Sequence, residues 1–258
     1  LYAIDGIYPK AAVLPSALEE LATILEVAHT KNWTVFPRGS GNLMTLGNKP
    51  ERVDLVIETR GLDTPIAHVP GDLTVTVSGG STLSDLQSVL EQEDQWLPID
   101  PPVADDQTVG GVLATNLPGF LSLGYGTLRD MVIGIQVIGP DGTITKSGGK
   151  VVENVTGSDM GKIHIGALGT LGIITEVSFK VIPLPAKDVS LLALFDSLDE
   201  ALSASSKVTQ LPGSPQALAV ATLGMNRRTD DGRLSDPGTT VYARFLGSAR
   251  STERRLND

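Results

Sequence analysis

Three glycines spaced three residues apart, Gly166, Gly169 and Gly172, run directly into the β-rich segment Ile173–Ile182. No other feature of the chain narrows its possible folds as much. A regular helix loses about 1 kcal/mol at each glycine. Glycine is favoured instead where the backbone takes unusual angles or must lie close against another group. Gly166–Glu176 therefore reads as a wall of bare backbone feeding a buried strand. Alone, such a wall is compatible with a purely structural role. Three further glycine-rich turns stand upstream. Phe36-Pro37-Arg38-Gly39-Ser40-Gly41-Asn42 follows the short strand Trp33–Phe36. Thr108-Val109-Gly110-Gly111-Val112-Leu113-Ala114-Thr115-Asn116 follows Pro101-Pro102. Leu123-Gly124-Tyr125-Gly126-Thr127-Leu128-Arg129-Asp130 is the last.

Glycine turns at strand ends offer backbone N–H groups to anions. The first turn is not a dinucleotide fingerprint, because Met44 stands where a third glycine is needed. Gly157-x-x-x-Gly161-Lys162-Ile163 is not a phosphate-binding Walker loop, having the wrong spacing and no hydroxyl after the lysine.

The order of the four turns resembles the vanillyl-alcohol-oxidase-type (PCMH-type) FAD-binding family over roughly residues 10–185. Within it, the sequence is most similar to the FAD-binding subunits of bacterial glycolate oxidase. The likeness rests on Thr108–Asn116, Tyr125–Ile135, Gly148–Gly157 and Gly166–Glu176. It implies an α+β fold: an FAD-binding domain of two α/β subdomains over 1–186, then a partial ferredoxin-like cap over 187–258. It also implies that Pro37, Arg38, Gly39, Ser40, Gly41 and Asn42 hold the FAD pyrophosphate. Pro101, Thr108, Gly110, Gly111, Ala114, Thr115 and Asn116 would line the ring and ribityl part. Gly124, Tyr125 and Gly126 would form another flavin contact, and Gly172, Ile173 and Ile174 would read the adenine or ribose region. Arg38 could equally neutralise phosphate charge or lie in solvent. Tyr125 could be a core aromatic, and the side chains of Ile173 and Ile174 plain core.

Members with a histidyl flavin link carry a histidine in the first turn. Here the histidines are His29, His68 and His164, and no cysteine is present, so FAD is expected to bind noncovalently. The absence of cysteine also excludes disulfides and iron–sulfur ligation within this chain. The family's usual Gly-Tyr-Asp-Leu is Gly157-Ser158-Asp159-Met160 here, and Leu168 replaces the acid of a Gly-Ser-Glu-Gly-Thr motif. The glycolate oxidase accessory subunit shares that leucine.

No acid–base pair, metal-spaced cluster or nucleophile–histidine arrangement is visible, so catalytic residues stay unassigned and no metal is expected. His164 reads as a satisfied structural histidine. The resemblance implies oxidation of a small 2-hydroxy acid to a 2-oxo acid. The partners would be the other subunits of a glycolate-oxidase-like complex, an iron–sulfur subunit among them. Two alternatives stay open: a self-sufficient FAD-linked oxidoreductase for another hydroxy acid or alcohol, and a structural subunit that has lost flavin.

Net charge of −10 argues against nucleic acid and anionic membranes as partners. Residues 225–258 run the other way, with seven arginines against five acids. That stretch reads as a solvated face or as a docking surface for an acidic partner. No apolar run approaches the ~20 residues of a membrane span, and a cytoplasmic location, peripheral to a membrane through partners if at all, is expected.

Along the chain, Ser16-x-x-Glu19 reads as a capping box opening a helix to about His29, with Leu18, Leu21, Ala22, Leu25 and Ala28 on one face. Val53–Ile57 and the alternating Leu73–Val77 read as strands. Thr82-x-x-Asp85 caps a helix to about Gln92. Val132–Ile138 and Thr143–Thr145 flank Gly139-Pro140-Asp141-Gly142 as a hairpin. Pro183-Leu184-Pro185 marks a boundary. Beyond it, strand Ser190–Phe195, a helix capped by Ser197, strands Gln216–Thr222 and Thr240–Leu246, and a helix from Ser248 give β-α-β-β-α. That is one strand short of a ferredoxin-like unit, so the natural polypeptide is expected to continue. The sequence opens on Leu1, and its natural start is expected upstream.

Overall fold

A computed structural model describes residues 2–62, 64–102, 106–117, 119–149, 161–210, 213–222 and 238–248. In chain order the elements are β1 (Ala11–Val13), α1 (Leu18–Thr30), β2 (Val35–Arg38), β3 (Leu55–Glu58), β4 (Ala67–Val69), β5 (Thr74–Ser78), α2 (Leu83–Glu91) and β6 (Gln95–Trp96). Then come α3 (Val109–Thr115), α4 (Ser122–Tyr125), α5 (Leu128–Met131), β7 (Val132–Ile138), β8 (Ile144–Gly148), β9 (Ile173–Lys180) and β10 (Ile182–Pro183). The last are β11 (Lys187–Phe195), α6 (Leu198–Gln210), β12 (Ala217–Ala221) and β13 (Thr239–Gly247).

These elements fall into two units. One comprises Leu1–Leu97, Pro101–Leu117 and Leu128–Pro183; the other comprises Pro98–Asp100, Pro118–Thr127 and Leu184–Asp258. The main division lies at the paired prolines, three residues before the expected one. Two short upstream segments also belong to the second unit, an assignment made by spatial contact rather than by chain order.

In the first unit β1, β3 and β2 form a parallel sheet in that order. Leu21, Leu25 and Ala28 recur at helical spacing on α1 and are buried in one core with Leu55, Ile57, Ile138 and Ile173. The expected capping box is displaced by one residue. Ala17 is the N-cap and makes no side-chain cap bond, while the Ser16 N–H donates to Glu20 Oε2 at 2.8 Å. Glu20, not Glu19, occupies the position that can reach back.

The second sheet of this unit is antiparallel, in order β4-β5-β9-β7-β8. The expected hairpin is present as β7–β8, pairing Ile138 with Ile144 and running on to Gly148, and β7 carries irregularities against β9 near Gly134 and Val137. Thr82 accepts the Asp85 N–H at 3.0 Å and caps α2 as its sequence indicates. The apolar and polar residues of the expected strand alternate, yet all of β5 is buried. Its hydroxyls are satisfied internally: Thr76 Oγ1 lies 2.8 Å from Ser178 Oγ, and Ser78 Oγ donates to the Leu62 carbonyl. Burial of polar groups at little cost requires such partners.

Two glycine-rich segments are not open turns. Thr108–Asn116 forms α3, capped by the Thr108 hydroxyl, which accepts the Gly111 N–H at 3.2 Å. Leu123–Asp130 lies across two single helical turns, α4 and α5. The 166–172 wall is as expected, with Gly166 at φ 80°, Gly169 at 74° and Gly172 at 155°. These angles are accessible to glycine and strained for other residues.

In the second unit β11, β13 and β12 form an antiparallel sheet in that order. With α6 this gives the expected β-α-β-β order. Ser197 Oγ accepts the Glu200 N–H at 3.2 Å at the start of α6. The helix expected from Ser248 lies outside the described residues. Among the described residues no helix is long and apolar enough to cross a membrane.

Candidate functional site

The site is built where β2 ends. Parallel pairing carries β2 to Arg38, opposite Glu58 of β3. The chain then turns through Gly39, Ser40, Gly41 and Asn42. Gly41 has φ 85°, and a Cβ there would overlap the Arg38 guanidinium. A Cβ on Gly39 would overlap the Thr108 hydroxyl. Both glycines are therefore fixed by close approach within the protein. The N–H groups of Ser40, Gly41 and Asn42 make no hydrogen bond among the described residues. A turn with successive unbonded N–H groups is suited to an anion.

The Arg38 side chain is held beneath the turn. Its Nη1 lies 3.3 Å from Glu58 Oε2, its Nη2 donates to the Ser40 carbonyl at 3.3 Å, and its guanidinium sits 5.0 Å from the centre of the Tyr2 ring. Glu58 also accepts from the Tyr2 hydroxyl at 2.7 Å and from Arg60. Burial alone would raise the Glu58 pKa; the Tyr2 hydroxyl, Arg60 and Arg38 outweigh it and hold the carboxyl below its ordinary value. Of the two roles open to Arg38 in the sequence, the solvated side chain is excluded, since the side chain is only 14% exposed. It is a buried brace for the turn. Asn42 turns its amide to Asp106 Oδ1 at 2.9 Å.

A cleft of about 270 Å³ opens beside this turn. It is lined by Pro37, Gly39, Ser40, Gly41 and Asn42, by Thr108, Gly111, Ala114 and Thr115 of the α3 segment, and by Leu168 and Thr170 of the glycine wall. A narrower cavity of about 60 Å³ shares Pro37, Gly39, Gly111 and Ala114, and adds Arg38, Gly110, Gly172, Ile173 and Ile174. The structure thus brings together three of the four expected segments. Ile173 and Ile174 are both 5% exposed, their side chains being core as the sequence suggested.

Pro101 and Asn116 lie in the same unit but line neither space. Asn116 ends α3 in the left-handed conformation, with its side chain against Gly166. Gly124, Tyr125 and Gly126 belong to the second unit. There Gly124 is small for a local reason: its N–H donates to the Gln216 carbonyl at 3.0 Å, and a Cβ would come 2.7 Å from Gln216 Cα. Gly110 has a local reason too. A Cβ would lie 2.8 Å from the Gly79 carbonyl oxygen. A Cβ on Gly111 would meet nothing but the Thr108 hydroxyl, at 3.0 Å.

Other lining residues carry no signal in the sequence pattern: Gln107, Leu43 and Met44. Gly79 and Gly80, which admit the Ile174 and Thr59 carbonyls to close packing, follow β5 as a Gly-Gly pair. His164 ends a short 3-10 turn, and its Nδ1 is buried without a partner among the described residues, so it is not the satisfied histidine expected. Burial holds its pKa below the ordinary value. In the arginine-rich tail most residues lie outside the described set; Arg244 is described, and it forms a two-pronged pair with Asp188 at 2.9 and 2.6 Å.

The unbonded N–H groups, the small residues facing the cleft and the buried amide of Gln107 suit a group that carries both phosphates and hydrogen-bond donors. FAD is such a group, and the residues present fit it. Its diphosphate would lie on the Ser40–Asn42 turn, and Gly111 and Ala114 would leave it room.

The sequence profile of the FAD binding domain matches residues 9–148. The chain is 32% identical over 200 residues to glycolate oxidase subunit GlcD of Bacillus subtilis, covering 78% of this chain and 43% of that protein. It is 33% identical over 202 residues to D-lactate dehydrogenase of Archaeoglobus fulgidus, 76% and 45%. It is 37% identical over 139 residues to glycolate oxidase subunit GlcE of Escherichia coli, 54% and 39%. Among solved structures, alkyldihydroxyacetonephosphate synthase is similar in fold, with a TM-score of 0.78 at 23% identity over 96% of this chain and 51% of that one. The chain spans less than half the length of these curated relatives.

Proposed function

This chain belongs to the FAD binding domain family, and from that premise we propose that it is the flavin-holding part of an oxidoreductase that converts a 2-hydroxy acid to a 2-oxo acid. The observation that carries the reading is the anion-ready turn at Ser40–Asn42 opening onto a cleft walled by small residues. When bound, FAD supplies the acceptor for the two electrons and the hydrogen that leave the hydroxyl-bearing carbon. The chain's own work is to bind and orient. The turn's N–H groups hold the diphosphate, and the left-handed glycines of 166–172 let the backbone lie close to the rest. Among the described residues the cleft is lined by neither cysteine nor histidine, which supports noncovalent binding.

We propose further that the chain acts with other subunits of a glycolate-oxidase-like complex, an iron–sulfur protein among them. A hydroxy-acid site needs a base within hydrogen-bond reach of the substrate hydroxyl and a cation for its carboxylate. Among the described residues no ionisable side chain lines the larger cleft. Leu168, half exposed at its edge, stands where an acid would otherwise be. The similarity to D-lactate dehydrogenase favours a second reading, a self-sufficient dehydrogenase whose base comes from outside residues 1–258.

Two measurements test the proposal, the first the flavin link and the second the choice between these readings. Acid precipitation of full-length protein loaded with FAD should leave the yellow colour in the supernatant; colour in the pellet would contradict a noncovalent link. Oxidation of glycolate and D-lactate with an artificial electron acceptor should be weak for the isolated full-length protein with FAD and strong with partner subunits. Robust turnover by the protein alone would establish the second reading.

A further inference from the structure

Gln107 is 5% exposed, lines the larger cleft, and carries a side-chain oxygen, Oε1, that is buried without a hydrogen-bond partner among the described residues. Its backbone is fixed from the other side, where the Gln107 carbonyl accepts the Leu83 N–H at 2.8 Å. Two threonine hydroxyls of the cleft take part in bonds to the backbone of α3. Thr108 Oγ1 caps α3, and Thr115 Oγ1 donates to the carbonyls of Gly111 at 3.0 Å and Val112 at 3.2 Å. A buried carbonyl oxygen without a donor destabilises a protein relative to an apolar side chain of the same shape. Such a group persists where a ligand supplies the missing donor.

The chemistry of that donor follows. A diphosphate at neutral pH offers acceptors only, and the unbonded N–H groups of Ser40, Gly41 and Asn42 already match it. An amide oxygen requires an O–H or N–H. FAD carries both, on its sugar hydroxyls, its adenine amine and its flavin imide. We infer that Gln107 is a cofactor-reading residue, whose buried amide accepts a hydrogen bond from a hydroxyl or N–H of FAD and so separates FAD from ligands that present phosphate alone. The inference rests on the FAD reading and adds a residue to it.

The test uses full-length protein carrying Gln107→Leu or, as a second and more flexible isostere, Gln107→Met. Dissociation constants for FAD come from quenching of flavin fluorescence, those for ADP from calorimetry, and the thermal midpoint is measured without ligand. Both variants should bind FAD at least tenfold more weakly than wild type, while their ligand-free midpoints stay equal or rise. Unchanged ADP affinity beside the FAD loss places the donor on the riboflavin half; a parallel ADP loss places it on the adenosine half. FAD affinity within twofold of wild type in both variants overturns the inference. So does a drop of several degrees in the ligand-free midpoints of both, which would make Gln107 a structural residue. Failure of the wild-type protein to bind FAD would overturn the cofactor reading itself, and this inference with it.

Discussion

Replacing Glu58 by glutamine should destabilise the ligand-free protein by about 2–4 kcal/mol, a magnitude that follows from how its carboxylate is used. The side chain is 6% exposed and faces Arg38, itself 14% exposed. Removing one member of a buried ion pair strands the other and costs about 3–5 kcal/mol. Two features reduce that figure here. The Tyr2 hydroxyl, 2.7 Å from Oε2, can still donate to an amide oxygen. Arg60 is 47% exposed and can turn to water. Urea unfolding without FAD measures the loss directly. The effect should also reach the site, because Arg38 would lose the anchor that holds it against the Ser40 carbonyl and under Gly41, and FAD affinity should fall with stability. A double-mutant cycle with Arg38→Met isolates the pair: the two changes together should cost less than their sum by at least about 1 kcal/mol. A Glu58→Gln loss under about 0.5 kcal/mol, or additive single losses, would show that the pair is not the brace of the turn. The pH dependence has a defined sign. The folded-state pKa lies below the ordinary carboxylate value, so the stabilisation is present above that value and is lost as pH falls through the folded one. Glu58→Gln should flatten this acid limb.

The neighbouring glycines of α3 should behave oppositely. Gly110→Ala forces a methyl against the Gly79 carbonyl and should cost about 1–3 kcal/mol in the ligand-free protein. Gly111→Ala faces the cleft and should leave stability unchanged or raise it by up to about 1 kcal/mol, while weakening FAD binding tenfold or more. Equal FAD affinity in Gly111→Ala, measured by flavin fluorescence, would remove α3 from the site. Asp54 supplies a second acid limb. The Lys10 ammonium and the Thr34 N–H lower its pKa from 3.8 to about 2. Its contribution is complete above 3.8 and fades towards pH 2, so Asp54→Asn should unfold with a shallower pH dependence in that window than wild type; identical acid-unfolding profiles by circular dichroism would refute it.

Features with a local cause were legible in the residues alone. Gly166, Gly169 and Gly172 are spaced as no helix tolerates, and each takes a positive φ. Thr82 and Ser197 cap the helices they precede, because a hydroxyl two or three residues before a free N–H needs no distant partner. The Val132–Gly148 hairpin and the β-α-β-β order after Pro185 followed from periodicity and turn residues. The order of the glycine segments indicated the family and three of the segments around the cleft.

Other features depend on groups far apart in sequence, and only packing settled them. Thr108–Asn116 becomes a helix despite two glycines because Gly110, having no Cβ, can close on the Gly79 carbonyl and donate its N–H there at 2.8 Å, and because the Thr108 hydroxyl caps the turn. Arg38 becomes a brace because parallel pairing sets it opposite Glu58, 20 residues away. β5 alternates threonine with valine and is buried on both faces, and Ser178, 102 residues beyond Thr76, makes the burial of that hydroxyl tolerable. Gly124 is a glycine for the sake of Gln216, and Gln107 shows its unsatisfied oxygen only once the cleft around it is closed. Capping and backbone strain act within one turn of chain and are written in its residues; pairing, burial and hydrogen-bond satisfaction depend on who the neighbours are, and folding chooses the neighbours.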